Sequence, residues 1–109
     1  MKILVSSLGK EKTDDFDTRF GRCDYFQIFD TETKEYEVLE NRGKTSEHGA
    51  GIASSQQAID RDVDILITGH LGPNAFEVLG SSGIKLYSAN SGTVEEVINL
   101  YIEGKLEEI

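Results

Sequence analysis

The chain has 109 residues, 38% of them hydrophobic, which is enough for one domain with one core and too short for two. Its formal net charge is −9, from 20 acidic against 11 basic residues, and it has no run of Lys and Arg, which argues against nucleic acid or an acidic membrane as a partner. No apolar run approaches the roughly 20 residues of a membrane-spanning helix, and no signal-peptide pattern follows Met1. A lone cysteine, Cys23, excludes an intramolecular disulfide. We therefore expect a cytoplasmic protein with a single domain over residues 1–109.

The first half of the chain predicts three strands separated by polar loops. Residues 2–6 form a short apolar run, typical of a strand, whereas residues 7–17 are charged and without period, typical of an exposed loop. Residues 24–31 are rich in aromatic side chains and residues 36–40 alternate, so both predict strands. A polar turn between these two strands predicts an antiparallel hairpin, and residues 41–47 predict a second loop.

The second half alternates helices with strands. The run from Val63 to Thr68 is apolar on both faces, which indicates a strand covered on both sides. Gly69 and Gly72 then loosen the backbone, and Pro73 suits the first position of a helix. The other predictions are a helix over 52–60, a helix over 74–79 ended by Gly80 and Gly83, a strand over 84–87, and a last helix capped by Ser91 or Thr93 and stopped by Gly104.

This order of elements favours a ribonuclease-H-like fold over a doubly wound one. The first three strands would be antiparallel neighbours, and each later helix would cross over to a parallel strand in the right-handed sense. We therefore expect a three-layer α/β domain in which a five-stranded mixed sheet is flanked by three helices.

Three loops of this predicted fold combine glycine with a cation or a possible metal ligand. They span residues 17–23, 47–51 and 69–74. Ligands of open α/β sheets lie beyond the carboxyl ends of the strands, where the amides of a helix N-terminus can receive an anion. We expect the three loops to converge on one ligand site, with His70 and Cys23 on loops outside the core.

Four motifs follow one another in these segments: Arg19-Phe20-Gly21-Arg22, His48-Gly49-Ala50-Gly51-Ile52, Ile67-Thr68-Gly69-His70-Leu71-Gly72-Pro73-Asn74-Ala75-Phe76 and Ser91-Gly92-Thr93-Val94-Glu95-Glu96. Taken together, they resemble the dinitrogenase iron-molybdenum cofactor biosynthesis family, which includes NifX-like and NafY-like carriers and a domain of NifB. The resemblance covers almost the whole chain and implies a ribonuclease-H-like fold. It also implies binding of an iron-sulfur or iron-molybdenum-sulfur cluster or its precursor. Since we expect neither an appended helical domain nor a histidine-rich tail, the resemblance does not imply docking to a nitrogenase.

Cys23, His48 and His70 are the candidate metal ligands, because soft side chains are what thiophilic metals prefer. One cysteine cannot hold a cubane cluster, which normally takes about four, so a shared or exchangeable cluster is the compatible form. Cys23 and His48 also have structural interpretations: Cys23 as a small residue at a strand start, and His48 as a residue bonded to a loop carbonyl. The candidate residues for holding an anionic cluster are Arg19, Arg22, Gly49, Gly51, Gly69, Gly72 and Asn74.

Two other function classes fit the sequence less well. A nuclease of this fold class needs clustered carboxylates on central strands to hold magnesium. Asp30 lies at the end of one predicted strand and Asp64 at the start of another, so they are poorly placed to bind metal together. A small anion- or nucleotide-binding module could use the turn from Gly69 to Pro73, although it lacks the lysine and hydroxyl of a P-loop. We expect no catalysis, partners that donate and accept the cluster, and a monomer that could dimerise near Cys23 on loading.

Overall fold

The computed structural model describes residues 1–45 and 49–109 and contains six strands and three α-helices. A short 3-10 turn, Arg42–Thr45, follows the third strand. The strands are β1 (Lys2–Ser7), β2 (Tyr25–Asp30), β3 (Tyr36–Glu40), β4 (Ile65–Thr68), β5 (Lys85–Ser88) and β6 (Glu107–Glu108), and the helices are α1 (Ala50–Asp60), α2 (Pro73–Ser81) and α3 (Val94–Ile102).

All six strands belong to one mixed sheet with the order β3-β2-β1-β4-β5-β6. The pairs β1–β2, β2–β3 and β5–β6 are antiparallel, and β1–β4 and β4–β5 are parallel. The predicted ribonuclease-H-like arrangement with three helices is confirmed, but the expected number of five strands is wrong by one. The missed strand, β6, consists of two exposed glutamates paired through the backbone, and the N–H of Ile109 continues this edge with a 2.8 Å bond to the carbonyl of Leu86.

The sheet separates two apolar clusters because successive side chains of a strand point to opposite faces. On β4, Leu66 packs in the cluster that also holds Ala58 of α1 and Leu79 of α2. Its neighbour Ile67 packs in the cluster of α3, with Val97. Both faces of β4 are therefore buried, as the apolar run predicted.

The helix ends differ from the predictions by a few residues. Helix α1 begins at Ala50, two residues before the predicted start, and Gly80 lies inside α2. Thr93 caps α3 as predicted, in a capping box with Glu96. Within the described residues, no helix combines the length and the apolar character needed to cross a bilayer.

The segment after β1 is exposed over most of its length, as its polar sequence predicted, but it ends in two buried residues, Phe16 and Asp17. The side-chain amide Nε2 of buried Gln27 lies within 3.1 Å of three oxygens of residues 7–11. The first amides of α3, at Val94 and Glu95, donate to carbonyls of the same segment at 2.9 and 3.0 Å. These contacts fix the segment that leads into the candidate site.

Candidate anion-binding cavity

A cavity of about 500 Å³ lies beyond the carboxyl end of β4, on the α1 and α2 side of the sheet. Its size is within the usual range for small-ligand sites. Each of the three predicted loops contributes to its wall. The lining residues are Thr18, Arg19, Phe20, Gly21, Arg22, Gly49, Ala50, Gly51, Ile52, His70, Gly72, Pro73, Asn74 and Ala75.

The segment that carries the arginines is tied to the end of β4. The backbone N–H of His70 donates to the carbonyl of Thr18 at 2.9 Å, and Arg19 and His70 form an isolated parallel bridge. Gly69 permits this approach, since a Cβ atom at Gly69 would lie 2.5 Å from the Cβ of Thr18. The glycine therefore serves the packing of two protein segments and is not itself among the lining residues.

Two helices begin at the cavity, and both have glycine as the N-cap residue: Gly49 for α1 and Gly72 for α2. A glycine brings no side-chain oxygen to cap the first amides. In α1 the first intrahelical donor is Ala53, and in α2 it is Phe76, each bonding the N-cap carbonyl at 3.0 Å. Within the described residues, the N–H groups before these donors in α2, at Asn74 and Ala75, have no backbone acceptor and remain for an acceptor outside the helix.

Arg19 is held by a fork of hydrogen bonds to Asp17. Its Nε donates to Oδ1 at 3.0 Å and its Nη2 to Oδ2 at 2.9 Å, and its backbone N–H also donates to Oδ1 at 2.9 Å. Burial raises the pKa of Asp17, but the hydrogen bonds and charge of Arg19 outweigh it, so this pKa lies below its ordinary value. Asp17 is therefore an ionised, buried carboxylate next to the cavity.

Arg22 lies on the same wall and is bonded to a neighbouring loop. Its Nη1 donates to the carbonyl of Lys44 at 3.2 Å, and the ammonium of Lys44 contacts the carboxylate of Asp24, also at 3.2 Å. Because the side chains of Lys44 and Asp24 are about half exposed, their ion pair contributes little to stability. The bond to the loop carbonyl restrains Arg22 at the wall of the cavity.

The charge of the lining is opposite to that of the whole chain. Of the described residues that line the cavity, two are arginines and one is a histidine, and none is Asp or Glu. The chain as a whole carries 20 acidic residues. The first amides of α1 and α2 add the positive ends of two helix dipoles to this wall. The cavity can therefore attract an anion in a protein that otherwise repels one.

The structure brings most of the predicted site residues together and places others elsewhere. Gly69 lies behind the wall, and His48 lies outside the described residues. Gly51 packs against α2, where a Cβ atom would lie 3.2 Å from that of Ala75. The predicted residues that line the cavity are Arg19, Arg22, Gly49, Gly51, His70, Gly72 and Asn74.

Cys23 is not on an exposed loop, and the expectation that it lies outside the core is wrong. Its side chain is fully buried in the cluster on the α1 and α2 side, with Phe20 and Phe26. Its thiol donates to the carbonyl of Phe20 at 3.4 Å, and the Asn41 amide contacts the sulfur at 3.5 Å. Burial, more than any other cause, raises the pKa of Cys23 to about 12. The residue is a protonated thiol packed next to the cavity wall.

The carboxylates considered for a nuclease site lie at the opposite end of the central strands from the cavity, beside the start of β1. Asp30 ends β2 opposite Lys2, and Asp64, just before β4, accepts a 2.8 Å bond from the Lys2 backbone N–H. The strand β1 thus separates the two carboxylates. Among the described residues, no group of three or more His, Cys, Asp or Glu side chains is placed to hold a metal ion.

Asp17 is the functional candidate that sequence reasoning missed as an individual residue. It fell within the predicted loop of residues 17–23, but nothing marked its side chain as buried. The one available signal was its spacing of two from Arg19, which is common in exposed loops. The two hydrogen bonds between Arg19 and Asp17 depend on the burial of Asp17 beside β1, which the local sequence does not indicate.

Comparisons with known proteins identify relatives of this chain. The family model described as dinitrogenase iron-molybdenum cofactor matches residues 1–104. An uncharacterised protein of Methanocaldococcus jannaschii is 37% identical over 91 residues, 81% of this chain and 77% of that protein.

Two solved structures share the fold. The apo form of the orange protein from Desulfovibrio gigas superposes with a TM-score of 0.94 at 31% identity, over 99% of this chain and 92% of that one. A Thermotoga protein provisionally assigned as NifB superposes with a TM-score of 0.87 at 39% identity, over 98% of this chain and 91% of that one. Since the family model spans nearly the whole chain, this chain belongs to the dinitrogenase iron-molybdenum cofactor family.

Proposed function

We propose that the cavity binds an anionic iron-sulfur or iron-molybdenum-sulfur cluster, or its precursor, and that the protein carries this cluster during assembly or transfer rather than catalysing a reaction. The observation that carries the proposal is the charge of the lining. Among the described residues it has two arginines, a histidine and two helix N-termini but no carboxylate, in a chain of net charge −9. Membership of the family supports a metallocluster as the anion.

The donor set of the described wall fits a cluster that is held loosely. His70 is exposed on the wall and is the one described lining side chain that is a good ligand for iron. Cys23 is left out of the proposed ligand set because its thiol is buried and protonated. Arg22 and the amides of Asn74 and Ala75 would bond the sulfides and any carboxylate of the cargo. With so few protein ligands, such a cluster would exchange readily, as a carrier requires.

Anaerobic reconstitution with ferrous iron and sulfide, followed by visible absorption after gel filtration, tests the proposal. The wild-type protein should retain a cluster with sulfide-to-iron absorption. His70→Ala should retain less, with a changed absorption band, and it should fold normally because the described contact of His70 with Thr18 uses the backbone.

A pair of matched arginine variants separates site binding from general charge. Arg22→Gln removes one positive charge at the cavity, and Arg61→Gln removes one at the end of α1, where Arg61 contacts Glu37. The first should lower cluster retention and the second should not. Equal retention by both variants, or tight binding of a nucleotide or phosphate without cluster uptake, would favour the small anion-binding module instead.

A further inference from the structure

We propose that Asp17 is a positioning residue of the cavity, which orients the guanidinium of Arg19 toward a bound anion although its own charge repels that anion. The inference rests on the proposed function. It assigns to the site a residue that does not contact the anion itself but acts on it through Arg19. It begins from the fork between the two side chains.

The fork fixes the plane of the guanidinium. Both carboxylate oxygens of Asp17 accept from Arg19, through Nε and Nη2, and this bidentate arrangement allows one orientation of the planar group. The Nη1 end then points away from Asp17. Because the Arg19 side chain is 61% exposed and lines the cavity, its other N–H donors are available to an occupant.

Asp17 is itself held rigidly by the central strands. Its backbone N–H donates to the Ser6 carbonyl at 2.9 Å, and the Ser6 hydroxyl donates to the Asp17 carbonyl at 2.6 Å. The same hydroxyl lies 2.9 Å from that of Thr68 on β4. All three residues are buried, with 5% of Asp17 exposed. Through Asp17, the orientation of Arg19 is therefore fixed relative to the central strands β1 and β4.

Charge alone gives no reason to place a carboxylate here. A negative group close to an anion site lowers anion affinity by Coulomb repulsion, and the low dielectric of a buried position strengthens this repulsion. The carboxylate also neutralises part of the attraction that Arg19 exerts. A net gain from Asp17 must come through orientation, since a long exposed arginine otherwise samples many rotamers. The two effects have opposite signs, which makes them separable.

The test measures retention of a [4Fe–4S] cluster, reconstituted anaerobically from iron and sulfide, by Asp17→Asn. Positioning predicts that affinity falls by about tenfold, the usual scale for losing a charged hydrogen bond. Charge alone predicts that it rises. Asp24→Asn is the matched control: the pKa of Arg19 is raised first by its bond to Asp17 and more weakly by the charge of Asp24, which does not bond it. This control should bind equally or more tightly.

A double-variant cycle shows whether Asp17 acts through Arg19. In an Arg19→Gln background, Asp17→Asn should no longer weaken cluster binding, whereas a merely structural loss would persist. If Asp17→Asn does not fold, Arg19→Lys decides: retention as low as in Arg19→Gln supports the inference, and wild-type retention overturns it. An unchanged or tighter Asp17→Asn overturns the inference alone. A wild-type protein that takes up no cluster overturns the proposed function and the inference with it.

Discussion

Gly69 and Thr18 lie in such close contact that any side chain on Gly69 would overlap Thr18: an added Cβ would be 2.5 Å from the Thr18 Cβ and 2.8 Å from its Cα. The contact holds the end of β4 against the segment that carries both arginines of the cavity. Since one of the overlapping atoms belongs to the backbone, rotating the Thr18 side chain does not relieve it.

Gly69→Ala should therefore lower the free energy of unfolding by about 1–3 kcal/mol, the usual effect of overpacking. Urea denaturation measures the change. Gly80→Ala is the control, because a Cβ there meets nothing within 4 Å and the residue is helical, so stability should rise by about 0.5–1 kcal/mol. Equal stability of the two variants would show that the contact with Thr18 is not tight.

Gly72→Ser should change stability and binding in opposite directions. A serine at this N-cap position can accept a hydrogen bond from Asn74 or Ala75, so the helix gains roughly a few tenths of a kcal/mol. The same bond removes an amide that the proposed anion would use. Thermal unfolding and cluster absorption measure the two effects. A variant that is more stable and still loads normally would argue that these amides do not contact the cargo.

Cys23 should be inert to thiol reagents in the native state at pH 8, because the thiol is buried and its pKa is raised to about 12. Reaction with Ellman's reagent, with and without denaturant, measures this. Rapid labelling of the folded protein would mean that the apolar core around Cys23 opens easily.

The raised pKa of Cys23 also predicts how stability depends on pH. The ordinary value is 9.0, so as pH rises from 9 toward 12 the unfolded chain loses the proton while the folded chain keeps it, and folding is weakened. Cys23→Ala lacks this loss. Its stability deficit near pH 7, about 1 kcal/mol for a small buried truncation, should shrink as pH rises over that window. A constant difference, measured by urea denaturation, would contradict the assignment.

Ile67→Asp should prevent folding. Ile67 is fully buried on β4 among the residues that face α3, so the substitution places a charge without a partner in the core. Circular dichroism should show loss of the native spectrum. Ile102→Asp is a suitable control, because that residue ends α3 with 56% of its surface exposed and should tolerate the change.

The sequence was most informative where local pattern and tertiary environment agree. The double-sided apolar run of β4, the Pro73 start of α2 and the Thr93 cap each predicted the observed element, because burial and backbone geometry require those residue types. The strand β6 could not be predicted, since Glu107 and Glu108 join the sheet through backbone groups that every residue has.

The site was predictable as a meeting of loops but not in its interior. Strand direction places the ends of β1 and β4 at one edge, so convergence of Arg19, His70 and Gly72 follows from topology. The burial of Cys23 and Asp17 does not, because both lie in segments with polar neighbours and are covered only by distant elements. The purpose of Gly69 likewise depends on Thr18, a contact across 51 positions of the chain.

The two outermost strands of the sheet both carry glutamates. On β3 these are Glu37 and Glu40, and β6 consists of Glu107 and Glu108, which are exposed. An unpaired strand edge is a template for adding strands from another molecule, and like charges on both edges oppose such pairing. Part of the acidic excess thus lies on the two outermost strands, where it disfavours edge-to-edge pairing between copies of the chain.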